Sequence, residues 1–336
     1  MRVAILAHQK FPDRAKTAVG VLRYGDHDVV AVLDRDHSGE RVHDFIPDVQ
    51  DAPIVETMAD APECDALIIG VAPIGGGFEE SWRTDVETAI ESGCDVVAGL
   101  HYFLSEDDEF VARAEEHGVA LRDVRNPPDD LTVAEATASE VDARIVLTVG
   151  TDCSTGKMTA SYELRDAARE RGLDAAVVPT GQTGIMISGW GIAIDRVISD
   201  FAAGATERLV QQAGDHDVVF VEGQGAVVHP AYSGVTTAIL HGAQPDSMVL
   251  CHVAGKEHFG GYERFALPDL STYVQLYEDM AAPIADATVD AGMVNTRGMD
   301  ESGADDAIEA VAEEIDAPAT DPVRYSADDV LDAVLD

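Results

Sequence analysis

A chain of 336 residues with 46% hydrophobic side chains is long enough for two cores of ordinary size and too apolar to be disordered. Its 63 acidic against 22 basic side chains leave a formal charge of −41, which argues against nucleic acid and anionic membranes as partners, because both repel such a chain. The four cysteines, Cys64, Cys94, Cys153 and Cys251, form no Cys-x-x-Cys pair, so neither a disulfide framework nor a cysteine zinc site is expected and a reducing cytoplasm fits.

The chain begins with Val3-Ala-Ile-Leu-Ala7, which reads as a strand and not as a signal peptide, and no later apolar stretch approaches a membrane span. A helical pattern from Lys16 to Tyr24 and a strand, Asp28 to Leu33, follow. Then come a strand at Ala66 to Val71, a helix over Phe78 to Glu91, a strand at Asp95 to Ala98 and a helix over Asp107 to His117. This alternation predicts a Rossmann-like open parallel sheet with helices on both faces. No Gly-x-Gly-x-x-Gly follows its first strand, so dinucleotide binding in the usual manner is not expected. Pro127-Pro128-Asp-Asp130 interrupts regular structure, placing one domain at residues 1–128 and a second at 129–336.

The second domain opens with a β-branched run, Arg144-Ile-Val-Leu-Thr-Val149, followed by Gly150-Thr151-Asp152-Cys153-Ser154-Thr155-Gly156-Lys157-Met158-Thr159 and a helical pattern over Ala160 to Arg169. A glycine-rich turn between strand and helix presents unpartnered N–H groups at the positive end of the helix dipole, the arrangement of a phosphate-binding P-loop. An ordinary glycine-rich turn is the plain alternative. The spacing is one residue longer than the common form, and Met158 stands where Ser or Thr usually binds magnesium, leaving Thr159 as the nearby hydroxyl. Phosphate binding is therefore expected more than magnesium-dependent hydrolysis. Cys153 is a poor candidate nucleophile, since a phosphatase loop requires arginine where Thr159 stands.

Further strands are predicted at Ala175 to Val178, Asp217 to Glu222, Ser247 to His252 and Thr288 to Asn295. Helices are predicted over Ile194 to Gln212, Leu270 to Met280, Ala304 to Ile315 and Ser326 to Leu335, the last without an assigned role. Together they give a P-loop NTPase-like parallel sheet with helices on both faces. Ligands of such sheets gather at the carboxyl ends of the strands. That rule selects the P-loop, Thr180 to Gly184, Glu222-Gly-Gln-Gly225, His252 to Lys256 and Asn295-Thr-Arg297. Glu222 is placed to hold magnesium or to accept a proton from an amine, or else simply to pair with a backbone N–H. His229 and Tyr232 fall in a loop above the same edge, where the histidine can relay a proton or serve structure. Gly181 through Gly191, with four glycines beside Met186 and Trp190, suits a pliable loop that closes on a ligand or, nearly as well, a well-packed glycine-rich turn. His241, His252 and His258 lack the spacing of a helical zinc site, and no metal is expected.

Lysine is scarce. Only Lys10, Lys16, Lys157 and Lys256 occur, the last two each directly after a glycine. The acidic residues are spread along the chain, which suits a solvated surface in a salt-filled, halophilic cytoplasm.

With these residues assembled, the chain resembles the D-glutamate N-acetyltransferase family, long known as a domain of unknown function with a P-loop C-terminal half. In the first domain the likeness rests on Ala15-Lys-Thr-Ala18 with Leu22-Arg-Tyr24, on Ala72-Pro-Ile-Gly-Gly76 with Trp82-Arg83, and on Gly99-Leu-His-Tyr-Phe-Leu-Ser105. In the second it rests on Gly150-Thr-Asp-Cys153 with Gly156-Lys157, on Glu222 to Gly225 with His229-Pro230, and on Tyr232-Ser-Gly-Val235. The P-loop unit also looks like that of dethiobiotin synthetase, from which Met158 departs. The resemblance implies that residues 150–159, with Asn295, bind acetyl-CoA, and that its acetyl group passes to the amine of a D-amino acid, D-glutamate first among them. Glu222 or His229 is then the base, and Arg83, Lys256, Arg297 and Tyr232 are candidates for the substrate, the cations because they suit its carboxylates. A homo-oligomer is expected. The rival readings are an ATP- and magnesium-dependent kinase or ligase of the dethiobiotin synthetase kind, and a non-catalytic nucleotide sensor.

Overall fold

Short β-branched runs buried on both faces build two separate parallel sheets, as expected where helices cover each face. The computed structural model describes residues 1–73 and 75–336, so Ile74 of the Ala72 to Gly76 motif lies outside the described residues. The first sheet contains β1 (Arg2–Leu6), β2 (Asp28–Leu33), β3 (Ile54–Val55), β4 (Ala66–Ile69), β5 (Asp95–Ala98) and β6 (Leu121–Asp123), in the order β3-β2-β1-β4-β5-β6. That is the doubly wound Rossmann order, with its reversal beside β1. Helices α1 (Lys16–Tyr24), α2 (Arg83–Glu91) and α3 (Asp108–His117) accompany it. Helix α3 shows why its sequence stops where it does. Asp107 caps its start by accepting from the Glu109 and Phe110 N–H groups, and Gly118, at φ 69°, turns the chain out at its end.

The second sheet contains β7 (Arg144–Gly150), β8 (Ala175–Val178), β9 (Val218–Val221), β10 (Ser247–Val253), β11 (Thr288–Asn295) and β12 (Ala319–Thr320), in the order β12-β11-β10-β7-β9-β8. Its helices are α4 (Lys157–Glu170), α6 (Ser199–Gln212), α7 (Ser233–Ala243), α8 (Leu270–Ala281), α9 (Glu301–Ile315) and α10 (Asp328–Leu335), while α5 (Gln182–Ser188), between β8 and α6 in the chain, belongs to the first unit. The P-loop strand β7 is central, and Ile145, Val146, Leu147 and Val149 are each no more than 2% exposed. Each such side chain contributes roughly 1.5–3 kcal/mol of burial.

The chain folds as two compact units, one of residues 1–127 with 182–193 and the other of residues 128–181 with 194–336. The glycine-rich segment 181–191, which in sequence suits either a pliable loop or a well-packed turn, contains α5, whose Thr183, Ile185, Met186 and Ile187 are buried. Within the first unit, Thr183 Oγ1 lies 2.8 Å from Thr17 Oγ1, and the Arg125 guanidinium donates to Gln182 Oε1 at 2.6 Å. The apolar side chains between those glycines pack; glycine content by itself does not make a segment mobile. The predicted helix over 194–212 is broken at Val197 and Ile198, where a single 3₁₀ turn precedes α6. The C-terminal α10 buries Val330, Leu331 and Val334 and is tied down by Arg171, which bonds Asp328 and Asp332, and by Arg144 Nε donating to the Val334 carbonyl at 2.6 Å. None of the helices among the described residues is long and apolar enough to cross a membrane.

Candidate functional site

The loop from Gly150 to Lys157 leaves the end of β7 and enters α4 with Ser154 at φ 56° and Gly156 at φ 104°. Those left-handed turns fold the loop back over the start of α4, which no side chain caps. The first N–H groups of this 14-residue helix therefore face the loop at the positive end of its dipole. Lys157 is buried beneath them, its Nζ donating to the Asp152 carbonyl at 2.8 Å and to Thr155 Oγ1 at 3.3 Å. Only a glycine at 150 leaves room for this: a Cβ there would stand 2.7 Å from both Lys157 Nζ and Thr155 Oγ1. An ammonium and a helix start directed into one loop are the two features on which phosphate sites are built. Met158 is 5% exposed in the first turn of α4, so an apolar thioether occupies the place of a magnesium-binding hydroxyl.

Two tyrosines on one face of α8 hold the loop from behind. The Tyr277 hydroxyl donates to the Gly150 carbonyl at 2.7 Å and accepts the Val227 N–H at 3.0 Å, and the Tyr273 hydroxyl donates to the Thr151 carbonyl at 2.7 Å. Both are fully buried, and burial pushes both phenols up, keeping them neutral donors. Residue-by-residue reading of the motif misses them. Their signal is a pair of tyrosines four apart in a helical pattern, and only the packing of α8 reveals what they touch.

Asp152, also fully buried, gathers three segments. Its Oδ1 accepts the Cys153 N–H at 2.7 Å, and its Oδ2 accepts the Gly260 N–H at 2.8 Å and lies 2.5 Å from Lys256 Nζ. Burial alone raises this carboxyl, but the Gly260 N–H, Lys256 and the Cys153 N–H outweigh it and hold Asp152 below the usual carboxylate range. Lys256 therefore stands over the P-loop, on the segment following β10.

His229 arrives from the segment following β9 and is 2% exposed, with the rings of Phe259 and Tyr262 edge-on at 5.3 and 5.4 Å and Tyr232 tilted against it at 4.7 Å. Its Nδ1 accepts the Ala231 and Tyr232 N–H groups at 3.0 and 3.2 Å, so the proton of the neutral ring sits on Nε2. That nitrogen lies 3.2 Å from Asp152 Oδ1, yet its N–H is not aligned with the oxygen and makes no hydrogen bond. Burial holds the His229 pKa below its ordinary value despite the neighbouring carboxylate. The ring is thus fixed as an N–H donor with no free lone pair, which is the wrong form for a general base. Asp152, Cys153 and His229 do bring a carboxylate oxygen, a thiol and a ring nitrogen within 4.8 Å of one another. A metal needs the Nε2 lone pair, which this tautomer lacks, and Lys256 already occupies the carboxylate.

Glu222 follows β9 and is 6% exposed; its Oε2 accepts the Gly181 N–H at 3.3 Å. Gly223 permits this turn, since a Cβ there would fall 1.8 Å from the Thr148 carbonyl oxygen. Glu222 and His229, on the segment that follows β9, and Lys256, on the segment that follows β10, thus stand after the two strands that flank β7. The other predicted residues are differently placed. Asn295 ends β11, two strands from β7, and its Oδ1 accepts the Arg297 N–H at 3.0 Å, while the Arg297 side chain is exposed. Tyr232 is 50% exposed at the start of α7, a helix that the sequence does not predict. Arg83 lies in the first unit, 2.7 Å from Asp107, 3.2 Å from Glu80 and 3.4 Å from Glu109, with its guanidinium 4.4 Å above the Phe110 ring. Its charge already serves an ion-pair network, so a substrate carboxylate would have to displace Asp107.

Residues 132–331 match the family model described as the domain of unknown function DUF1611_C, a P-loop domain, and residues 35–127 match DUF1611_N, a Rossmann-like domain. The chain belongs to the DUF1611 family. The crystal structure of a DUF1611 family protein from Anabaena variabilis superposes with a TM-score of 0.93 at 38% identity, covering 99% of each chain. Two relatives bear the name D-glutamate N-acetyltransferase. The one from Pseudoalteromonas sp is 36% identical over 79% of this chain and 80% of its own, and the one from Tritonibacter scottomollicae is 36% identical over 82% and 83%. As a DUF1611 member the chain thus combines a Rossmann-like and a P-loop NTPase-like domain.

Proposed function

We propose that this DUF1611 protein transfers the acetyl group of acetyl-CoA to the amine of a D-amino acid, D-glutamate in the first instance. The observation that carries the reading is the likeness, over most of the chain, to two proteins named for that reaction. The P-loop is consistent with it. Its helix start and Lys157 suit the phosphates of a cofactor, while the buried Met158 is a poor ligand for the magnesium that phosphoryl transfer requires.

The residues divide the chemistry as follows. Attack by an amine on a thioester carbonyl forms a carbon–nitrogen bond, breaks the carbon–sulfur bond and releases a thiolate. The amine must lose a proton, and the carbonyl oxygen gains negative charge on the way. Glu222 is the base in this reading, as a carboxylate on the segment that follows β9. His229 is the donor to the developing oxyanion, because its Nε2–H is fixed and unpaired. Lys256, 24% exposed at its side chain, is the cation for a substrate carboxylate, with Arg297 a second candidate.

The test is direct. Protein, acetyl-CoA and D-glutamate are mixed with a thiol-detecting reagent, and free CoA is expected to appear along with N-acetylated product. If no D- or L-amino acid elicits CoA release while ATP and magnesium yield phosphate, the reading fails in favour of a kinase or ligase.

A further inference from the structure

Two cysteines far apart in sequence meet at the amino-terminal edge of the first sheet. Cys64 precedes β4 and Cys94 precedes β5, neighbouring strands in parallel register with Ala66 opposite Asp95. The Asp95 N–H donates to the Asp65 carbonyl at 2.9 Å, which fixes the two strand entrances side by side. The side chains are correspondingly close: Cys64 Sγ lies 3.4 Å from Cys94 Sγ, and the Cys94 thiol donates to the Cys64 carbonyl at 3.0 Å.

The two thiols differ in access. Cys94 is 2% exposed, whereas Cys64 is half-buried, and the two line, with Arg2, Met58, Asp65 and Ser92, a cavity of about 370 Å³. We propose that Cys64 and Cys94 form a thiol–disulfide exchange site, in which Cys64 attacks a small-molecule disulfide entering this cavity and Cys94 resolves the product. In the first step the Cys64 thiolate bonds one sulfur of the incoming disulfide and the other sulfur leaves as a thiolate. In the second, Cys94 gives up its proton to solvent and attacks Cys64 Sγ, expelling the remaining thiol. Overall, two protein thiols are oxidised to one disulfide and one small-molecule disulfide is reduced to two thiols.

Geometry sets the direction of attack, because both cysteines line the cavity but Cys94 is 2% exposed while Cys64 is half-buried. The Cys94 S–H, close to Cys64 Sγ, favours the Cys64 thiolate and brings its pKa down to about 7, while Cys94 is pushed up by the same neighbour and by burial. A thiol with a pKa near ambient pH is the best attacking partner in exchange. The site is independent of the acetyltransferase reading and uses none of its residues.

The experiment treats the full chain with oxidised glutathione, unfolds it in an alkylating reagent and maps each cysteine by peptide mass. Cys64 and Cys94 should lose their alkylation and appear as one linked pair lighter by two hydrogens, with Cys251, buried in β10, alkylated in full. Cys94→Ser should trap a glutathione adduct on Cys64. Cys64→Ser should leave Cys94 unmodified and alkylatable. Alkylation of both cysteines after treatment of the unsubstituted chain, or an adduct on Cys94 in preference to Cys64, overturns the proposal.

Discussion

Replacing Tyr277 with phenylalanine removes one oxygen from a fully buried ring and leaves its packing volume unchanged. That oxygen donates to the Gly150 carbonyl at 2.7 Å and accepts from the Val227 N–H at 3.0 Å and the Gly150 N–H at 3.4 Å. A net hydrogen bond is worth about 0.5–1.5 kcal/mol, and a stranded buried backbone group costs about 1–3 kcal/mol. The Gly150 carbonyl and the Val227 N–H are stranded and the long bond from the Gly150 N–H is lost as well, so Tyr277→Phe should lower the unfolding free energy by about 2–4 kcal/mol. Tyr273→Phe removes a single bond, to the Thr151 carbonyl at 2.7 Å, and should cost about half as much. Urea unfolding at fixed pH and salt reads both values, with an unchanged slope showing that only stability moved. Because the lost bond anchors the entrance of the P-loop, acetyl-CoA affinity by calorimetry should fall for Tyr277→Phe as well. A loss below about 0.5 kcal/mol, or a larger loss for Tyr273→Phe than for Tyr277→Phe, would refute the account of α8 as the brace of this loop.

Lys157→Ala should abolish measurable acetyl-CoA binding by removing the buried ammonium of the loop, and calorimetry that finds wild-type affinity contradicts the site. Gly223→Ala drives a Cβ to 1.8 Å from the Thr148 carbonyl oxygen, so this chain should unfold at markedly lower denaturant, by about 3 kcal/mol or more. His252, pushed down to about 4 by burial first and Lys256 second, is neutral when folded and takes up a proton when unfolded. Its contribution to stability is therefore complete above its ordinary pKa of about 6.5 and is lost as pH falls from there toward 4, a slope that His252→Gln should flatten in thermal melts across that window. His229, also held low by burial, adds to the same acid-side loss. With a formal charge of −41, stability should fall as potassium chloride drops from molar to millimolar and repulsion loses its screening; an unchanged melting temperature contradicts this.

The local elements were legible because their signals are local. The β-branched runs at Arg144–Gly150, Ala175–Val178 and Thr288–Asn295 are strands in any parallel sheet that buries both faces, and the turn from Gly150 to Lys157 follows from glycines placed before a helical pattern. Helix α7 is not legible because its Ser, Gly and Thr residues give little apolar periodicity, and segment 181–191 stays open between a pliable loop and a packed turn because four glycines conceal a buried face of Thr183, Ile185, Met186 and Ile187. The roles at the site depended on partners far along the chain. Asp152 reads in sequence as one residue of a loop, and only folding sets Gly260 and Lys256 against its carboxylate. His229 reads as a base until the Ala231 and Tyr232 amides occupy Nδ1 and fix its proton on Nε2. Arg83 reads as a free cation until Asp107 claims it, and Cys64 and Cys94 read as isolated until strand register brings their sulfurs together. Sequence alone determined where the phosphate loop and its strands lie, since backbone preference and burial act over a few residues. Which proton, charge or thiol is available for chemistry was decided by tertiary structure, because electrostatics and hydrogen bonding depend on distance in space.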